Sequence, residues 1–207
     1  MVGAPQHELA KWLAGVLQPV LQRYGEHAVK DTFEFCANIE ACASEQDITD
    51  SFMCSFDVSS LFTNIPLEET IQICLDTLYR DEQTPKPALP EKLLKTLLVK
   101  VTTEVEFRFD GVMYRQMDGM AMGSPLGPVL ANIFMGFWEA NLPDERWPLF
   151  YNRFVNDTFS VFDSEVDSVE FYHLLNALLP ALKFTVEGEV GNRLPFMDVL
   201  VERGECV

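Results

Sequence analysis

A chain of 207 residues with 48% hydrophobic content can bury one sizeable core, enough for one domain or at most two small ones. Its 32 acidic residues against 15 basic ones give a net charge of −17, which argues against strong unaided binding to a phosphate backbone, because that affinity comes mainly from Lys and Arg. No apolar run approaches the roughly 18 residues of a membrane span, and five cysteines without a Cys-x-x-Cys pair, or a metal-type spacing to His7, His27 or His173, read as reduced core thiols.

The first seven residues lack a charged start followed by an apolar run, so an intracellular protein without a secretory signal is expected. Residues 7–21 carry Leu9, Trp12, Leu13, Val16 and Leu17 on one face and predict an amphipathic helix with a break near Pro19. Residues 43–51 are polar and read as a connector, and 52–56 as a short buried strand that delivers Asp57 to the end of a sheet. After a turn over 63–66, residues 67–79 predict a helix with Glu68 and Glu69 in its first turn, where the helix dipole favours acids. Residues 81–90, with Pro85, Pro87 and Pro90, are a loop. Residues 91–101 read as helix, and 105–116 as a hairpin around Asp110-Gly111.

A buried helix is predicted over 124–141, with Pro125 tolerated in its first turn. Strands 149–155 and 158–162 are separated by Asn156-Asp157, residue types suited to a two-residue turn. A helix over 166–179 ends before Pro180, and 181–187 with 194–201 form a last pair of strands. The order predicts an α+β domain of antiparallel strands backed by helices, with residues 1–50 as a helical lead-in and 51–207 as the main domain.

The candidate chemistry lies in two carboxylates. Two-metal phosphoryl transfer needs hard oxygen ligands from separate strands converging on one point, with ions about 4 Å apart. Asp57 and Asp157 meet that need if their strands are neighbours. Taken singly, an aspartate at a strand end is more often a turn former.

Three segments change that balance: Ser-Phe-Asp-Val-Ser-Ser-Leu-Phe-Thr-Asn-Ile-Pro at 55–66, Gln-Met-Asp-Gly-Met-Ala-Met-Gly-Ser-Pro-Leu-Gly-Pro at 116–128, and Arg-Phe-Val-Asn-Asp-Thr-Phe-Ser-Val-Phe at 153–162. They resemble motifs A, B and C of reverse transcriptases, most closely those of Penelope-like retroelements. The resemblance implies a polymerase palm, an antiparallel sheet backed by helices, with the family's basic fingers, its thumb and its GIY-YIG endonuclease falling outside this stretch. It implies RNA-directed DNA polymerase activity with Mg²⁺ or Mn²⁺ held by Asp57, the Val58 backbone and Asp157, and an RNA or DNA template-primer and deoxynucleotide as substrates. Phe62 stands at the family's steric gate against a ribose 2′-hydroxyl, with a plain core phenylalanine as the rival reading. Gln116, Gly119 and Ser124 stand where motif B meets substrate and template. Lys183 falls in a segment resembling motif D, where some polymerases place a general acid, although an edge-strand lysine in solvent is the more ordinary reading.

The departure is Asn156, where the family carries Asp. An amide brings no charge to the ions, so the resemblance implies an impaired site. The rival readings are a non-catalytic retroelement remnant serving as a binding or scaffold module, and an unrelated metal nuclease or RNA-recognition sheet, which leaves the 116–128 segment unexplained.

Overall fold

The computed structural model describes residues 5–103, 106–115, 119–120 and 123–204. They divide into two compact units, each drawn from two stretches of chain: Met1–Glu26 with Ser60–Asn141, and His27–Ser59 with Leu142–Val207.

The first unit is helical. The predicted opening helix is broken, as its proline suggests: α1 (Pro5–Val16) stops before Leu17, and α2 (Gln18–Arg23) takes Pro19 in its first turn, where the missing N–H has no helical partner to lose. A single turn, α4 (Leu61–Asn64), precedes α5 (Leu67–Arg80), which buries Ile71, Cys74, Leu75 and Leu78 along one stripe. Next come α6 (Glu91–Thr103), the hairpin β2 (Glu106–Phe109) and β3 (Val112–Arg115), and α7 (Leu126–Glu139), whose apolar residues lie on most sides, as burial requires. The α2–α7 contact is set by one glycine. A Cβ at Gly136 would overlap the carbonyl oxygen of Tyr24, and Tyr24 also packs edge-on to Phe137 at 5.5 Å and meets the Thr77 hydroxyl at 3.1 Å.

The second unit holds the sheet. Its strands β1 (Phe52–Ser59), β4 (Phe150–Phe154), β5 (Asp157–Phe162) and β6 (Lys183–Gly188) run in the order β4-β5-β1-β6, antiparallel throughout. Helix α3 (Thr32–Glu45) starts at Asp31, whose side chain accepts from Glu34 N at 2.9 Å, while the Glu34 carboxylate accepts from Lys30 N at 2.8 Å. Helix α8 (Glu165–Leu178) is capped by Ser164. The hairpin of β7 (Arg193–Phe196) and β8 (Val199–Glu202) closes the unit.

The alternation of β1 sorts the core into two layers. Cys54 and Phe56 face α8, with Phe56 at 5.7 Å from Phe171. Met53 joins Phe159 and Val161 against α3 and the β7–β8 hairpin, where Phe35 lies 5.2 Å from Phe159 and 4.8 Å from Phe196. Burial of each such ring stabilises the unit by about 1.5–3 kcal/mol.

Several elements differ from the sequence reading. Helix α3 was not predicted, and it runs into the expected connector as far as Glu45. Strand β1 continues to Ser59 because β6 pairs with it up to that residue, so Asp57 lies within the strand and not at its end. The β4–β5 turn is Val155-Asn156, since Asp157 already pairs with Phe154. Residues 181–187 pair with β1 instead of with the segment that follows them, and 194–201 folds on itself as β7–β8. The four described cysteines, Cys36, Cys42, Cys54 and Cys74, are free, and burial pushes the Cys54 and Cys74 thiols up to about 12.

Gly136→Ala is expected to destabilise the helical unit by about 2–3 kcal/mol, the range of an overpacked contact with backbone that cannot rotate away. Urea unfolding measures it. An unchanged midpoint would show that α2 does not rest on α7 at this glycine.

Candidate functional site

The carboxylates predicted from sequence are brought together by the β1–β5 ladder. Asp57 and Asp157 are direct Cα partners. The next backbone bond runs from Val58 N to Asn156 O at 3.0 Å, which makes Asp57 and Asp157 a non-hydrogen-bonded pair. In that kind of pair the two Cα atoms approach to about 4.5 Å and the side chains are closest. Both carboxylates therefore leave the same face of the sheet, side by side.

Like charges so placed repel, and one feature relieves this. Asn156 donates from Nδ2 to Asp57 Oδ1 at 2.6 Å and reaches Asp157 Oδ1 at 3.4 Å, so the amide bridges the pair with its NH₂ group. Partial burial, then a hydrogen bond to Asp57 and the Asp57 charge, raise the Asp157 carboxyl above its ordinary value. The raised value reflects the repulsion that the amide bridge leaves in place.

The turn that aims Asn156 is strained. Val155 adopts φ 59°, a region β-branched side chains avoid, and strain of this kind costs of order 1–3 kcal/mol. Surrounding bonds hold it. Arg153, fully buried on β4, donates from Nη1 to Val155 O at 3.2 Å, and its backbone is fixed by His27 O and Val29 N. Thr158 is buried at the base of the turn, its hydroxyl bonded to the Phe56 backbone at 3.1 and 3.2 Å. The supporting roles of Val155 and Thr158 left no mark in the sequence pattern, because valine and threonine are ordinary strand residues.

The remaining predicted residues divide between the two units. Lys183 opens β6 at the register of Ser59, two residues from the Asp57↔Thr185 pair. Period-two alternation puts it on the carboxylate face, and it is exposed at the sheet edge. Phe62, Gly119 and Ser124 belong to the helical unit. Phe62 is half-buried in α4, its carbonyl accepts from Met120 N at 2.7 Å, and its ring lies 3.7 Å from where a Cβ on Gly127 would stand. Gly119 has φ 68°, and a Cβ there would come within 2.5–2.8 Å of the Thr63 and Phe62 backbone. Its described close approach is thus to the α4 turn. Ser124 is buried, with its carbonyl accepting from Gly127 N at 3.0 Å at the start of α7. Gln116 lies outside the described residues.

The donor set suits a hard dication only in part. Asp57 and Asp157 offer anionic oxygens, whereas Asn156 turns its NH₂ inward and would have to rotate its amide to offer the carbonyl. Among the described residues no group of three or more His, Cys, Asp or Glu is placed to hold a metal ion.

No family model and no curated protein matches the sequence. Solved structures match in fold. Apo telomerase from Candida tropicalis, truncated from its C-terminal domain, aligns with TM-score 0.68 and 13% identity over 92% of this chain and 43% of its own. Telomerase from Candida albicans, solved in complex with a TWJ fragment of telomeric RNA, aligns with TM-score 0.75 and 10% identity over 94% of this chain and 37% of its own. The chain spans less than half the length of these solved chains. At such identities the likeness is one of fold. The mixed helical and antiparallel architecture matches part of these telomerase structures.

A raised Asp157 value means that the folded chain holds this proton more tightly than the unfolded chain. The group then subtracts stability above its folded-state value and subtracts none below its ordinary value near 3.8. Asp157→Asn is accordingly expected to raise the thermal midpoint at neutral pH, with the gain fading as pH falls through the carboxylate range. Calorimetry of both forms across pH measures this, and a gain that persisted into acid would refute the electrostatic account.

Proposed function

We propose that this chain is the palm core of a Penelope-like reverse transcriptase, built for template-directed nucleotidyl transfer and impaired in that reaction by Asn156. The observation that carries the reading is the Asp57–Asp157 pair on adjacent strands, with Asn156 at the hairpin tip between them. Two Mg²⁺ or Mn²⁺ ions are the electrophilic component of this chemistry when bound. Asp57 and Asp157 are the side chains that hold a divalent ion, with the Val58 backbone beside them. Phe62, Gln116, Gly119 and Ser124 are the proposed contacts to nucleotide and template, and Lys183 is the proposed donor on the leaving-group side. The substrates are an RNA or DNA template-primer and deoxynucleotides, in an intracellular setting. The fold shared with telomerase, solved with an RNA fragment in one case, supports a nucleic-acid partner.

The lesion has an estimable size. Losing one unit charge about 4 Å from a cation at an effective dielectric of about 20 removes on the order of 4 kcal/mol. Felt in the transition state, this is about a thousandfold in rate.

A second reading is favoured by the amide bridge itself. With the Asn156 NH₂ group donating to both carboxylates, the pair is bridged without metal, as a non-catalytic remnant used for binding or scaffolding requires.

Asn156→Asp is expected to lower the thermal midpoint without metal, through a third facing carboxylate, and to make it rise with added Mg²⁺ or Mn²⁺, since a ligand that binds only the folded state stabilises it. In primer extension, the Asp form should exceed the Asn form when segments supplying fingers and thumb are joined to both, because an electrostatic repair cannot position a triphosphate that nothing holds. Equal Mg²⁺-dependent extension by the two joined forms would show the amide to be a competent ligand. With its charge of −17, the chain alone is expected to bind primer-template duplex no more tightly than ordinary non-specific affinity, about 10⁻⁴–10⁻⁶ M near physiological salt. A fluorescence titration measures this, and markedly tighter binding would contradict it.

A further inference from the structure

A concave site lies in the sheet-bearing unit, toward the start of β1. Met53 lines it, four residues before Asp57 and so about 13 Å away at the strand rise. The cavity measures about 630 Å³ and is bounded by the C-terminal half of α3, the segment leading into β1, and β8. That volume is in the range of functional ligand and side-chain pockets.

Its floor is a continuation of the core. Ile39, Ile48 and Val201 pack against the buried cluster of Phe35, Met53 and Val161, yet remain half-exposed along the groove. Its rim is anionic: Glu40, Glu45 and Asp47 border it. Helix α3 ends there with no basic residue in its last turn, so the negative end of the helix dipole adds to the same field. The basic residue of the lining, Arg203, is already engaged by Glu189 and the Thr49 carbonyl. The first of these bonds ties the residue after β6, and the second the segment before β1, to the end of β8, and together they shape the groove in advance of any occupant.

We propose that this groove docks a basic amphipathic helix of a partner protein, with apolar side chains seated on Ile39, Ile48 and Val201 and lysine or arginine side chains meeting Glu40, Glu45 and Asp47. Charge complementarity selects this occupant. A second copy of the chain would bring another −17, and a nucleic acid would bring phosphates to a carboxylate rim. The apolar floor calls for more than a cation, and an apolar helix face laid in a groove is an established mode of recognition.

The test uses the isotopically labelled chain and a Leu/Lys amphipathic peptide of about 14 residues, long enough to form a helix when docked. A Lys/Ser peptide of equal charge and a Leu/Glu peptide serve as controls. The Leu/Lys peptide is expected to shift the backbone amide resonances of Ile39, Ile48 and Val201, with an affinity that falls as salt rises. The double variant Glu40→Lys, Glu45→Lys should weaken this binding by about tenfold or more. Both positions are exposed on α3, and lysine at position 45, in its last turn, favours folding. Equal binding of the Lys/Ser peptide, shifts confined to other surfaces, or undiminished binding by the double variant would overturn the proposal. So would a shift of the same residues by DNA duplex or by raising the chain's own concentration.

Discussion

The register of β1 against β5 is the constraint from which the candidate site follows. Side chains on paired strands either stand directly opposite one another or on opposite faces, and a slip of one residue would move Asp57 to the face that carries Cys54 and Phe56. The apolar layers hold the register in place. Met53 with Val161 on one face and Phe56 with Phe171 on the other leave no alternative pairing that buries both sets. The carboxylate pair is thus positioned by the cores above and below it, and its repulsion is tolerated because those cores stabilise the unit far more than one like-charge contact destabilises it.

Asn156 decides what this geometry can do. An amide is nearly the same size as a carboxylate, so the hairpin tip needs no repacking, but it carries hydrogen-bond donors where the acid carries charge. Donors are what two adjacent carboxylates need when no cation is present, and the 2.6 Å bond to Asp57 supplies one. The same amide that offers a divalent ion no charge therefore quiets the carboxylate pair in the absence of cations. The strained Val155 and the buried Arg153 beneath it show how firmly the turn is held.

The acidity of the chain also has a local structure. Lys and Arg are absent between Lys30 and Arg80, a stretch that includes α3, β1 and the first turn of α5, and with them the anionic groove rim and Asp57. Negative potential is accordingly concentrated on the sheet-bearing unit. Such a field disfavours direct approach of phosphates and favours cations, whether divalent ions or basic side chains.

What the sequence determined by itself was local or pattern-borne. The first-turn acids of 67–79, the apolar content and first-turn proline of 124–141, the proline break near Pro19, and the apolar runs flanking Asn156-Asp157 each follow from neighbours in the chain, so α5, α7, the α1–α2 break and the β4–β5 hairpin were legible. The acid pair was legible as well, because the motif around each aspartate is short and specific. Helix α3 was missed although Asp31 and Glu34 carry a capping signal and Phe35, Ile39 and Cys42 follow a helical period, and it packs on Phe159 and Phe196. The pairing of β6 with β1, the exact turn at Val155-Asn156 and the direction of the Asn156 amide belong to the tertiary structure alone. The β6 pairing and the amide direction depend on groups about a hundred residues apart along the chain, such as Asn156 and Asp57, and no local pattern records which distant strand will satisfy a given backbone edge or which carboxylate an amide will meet.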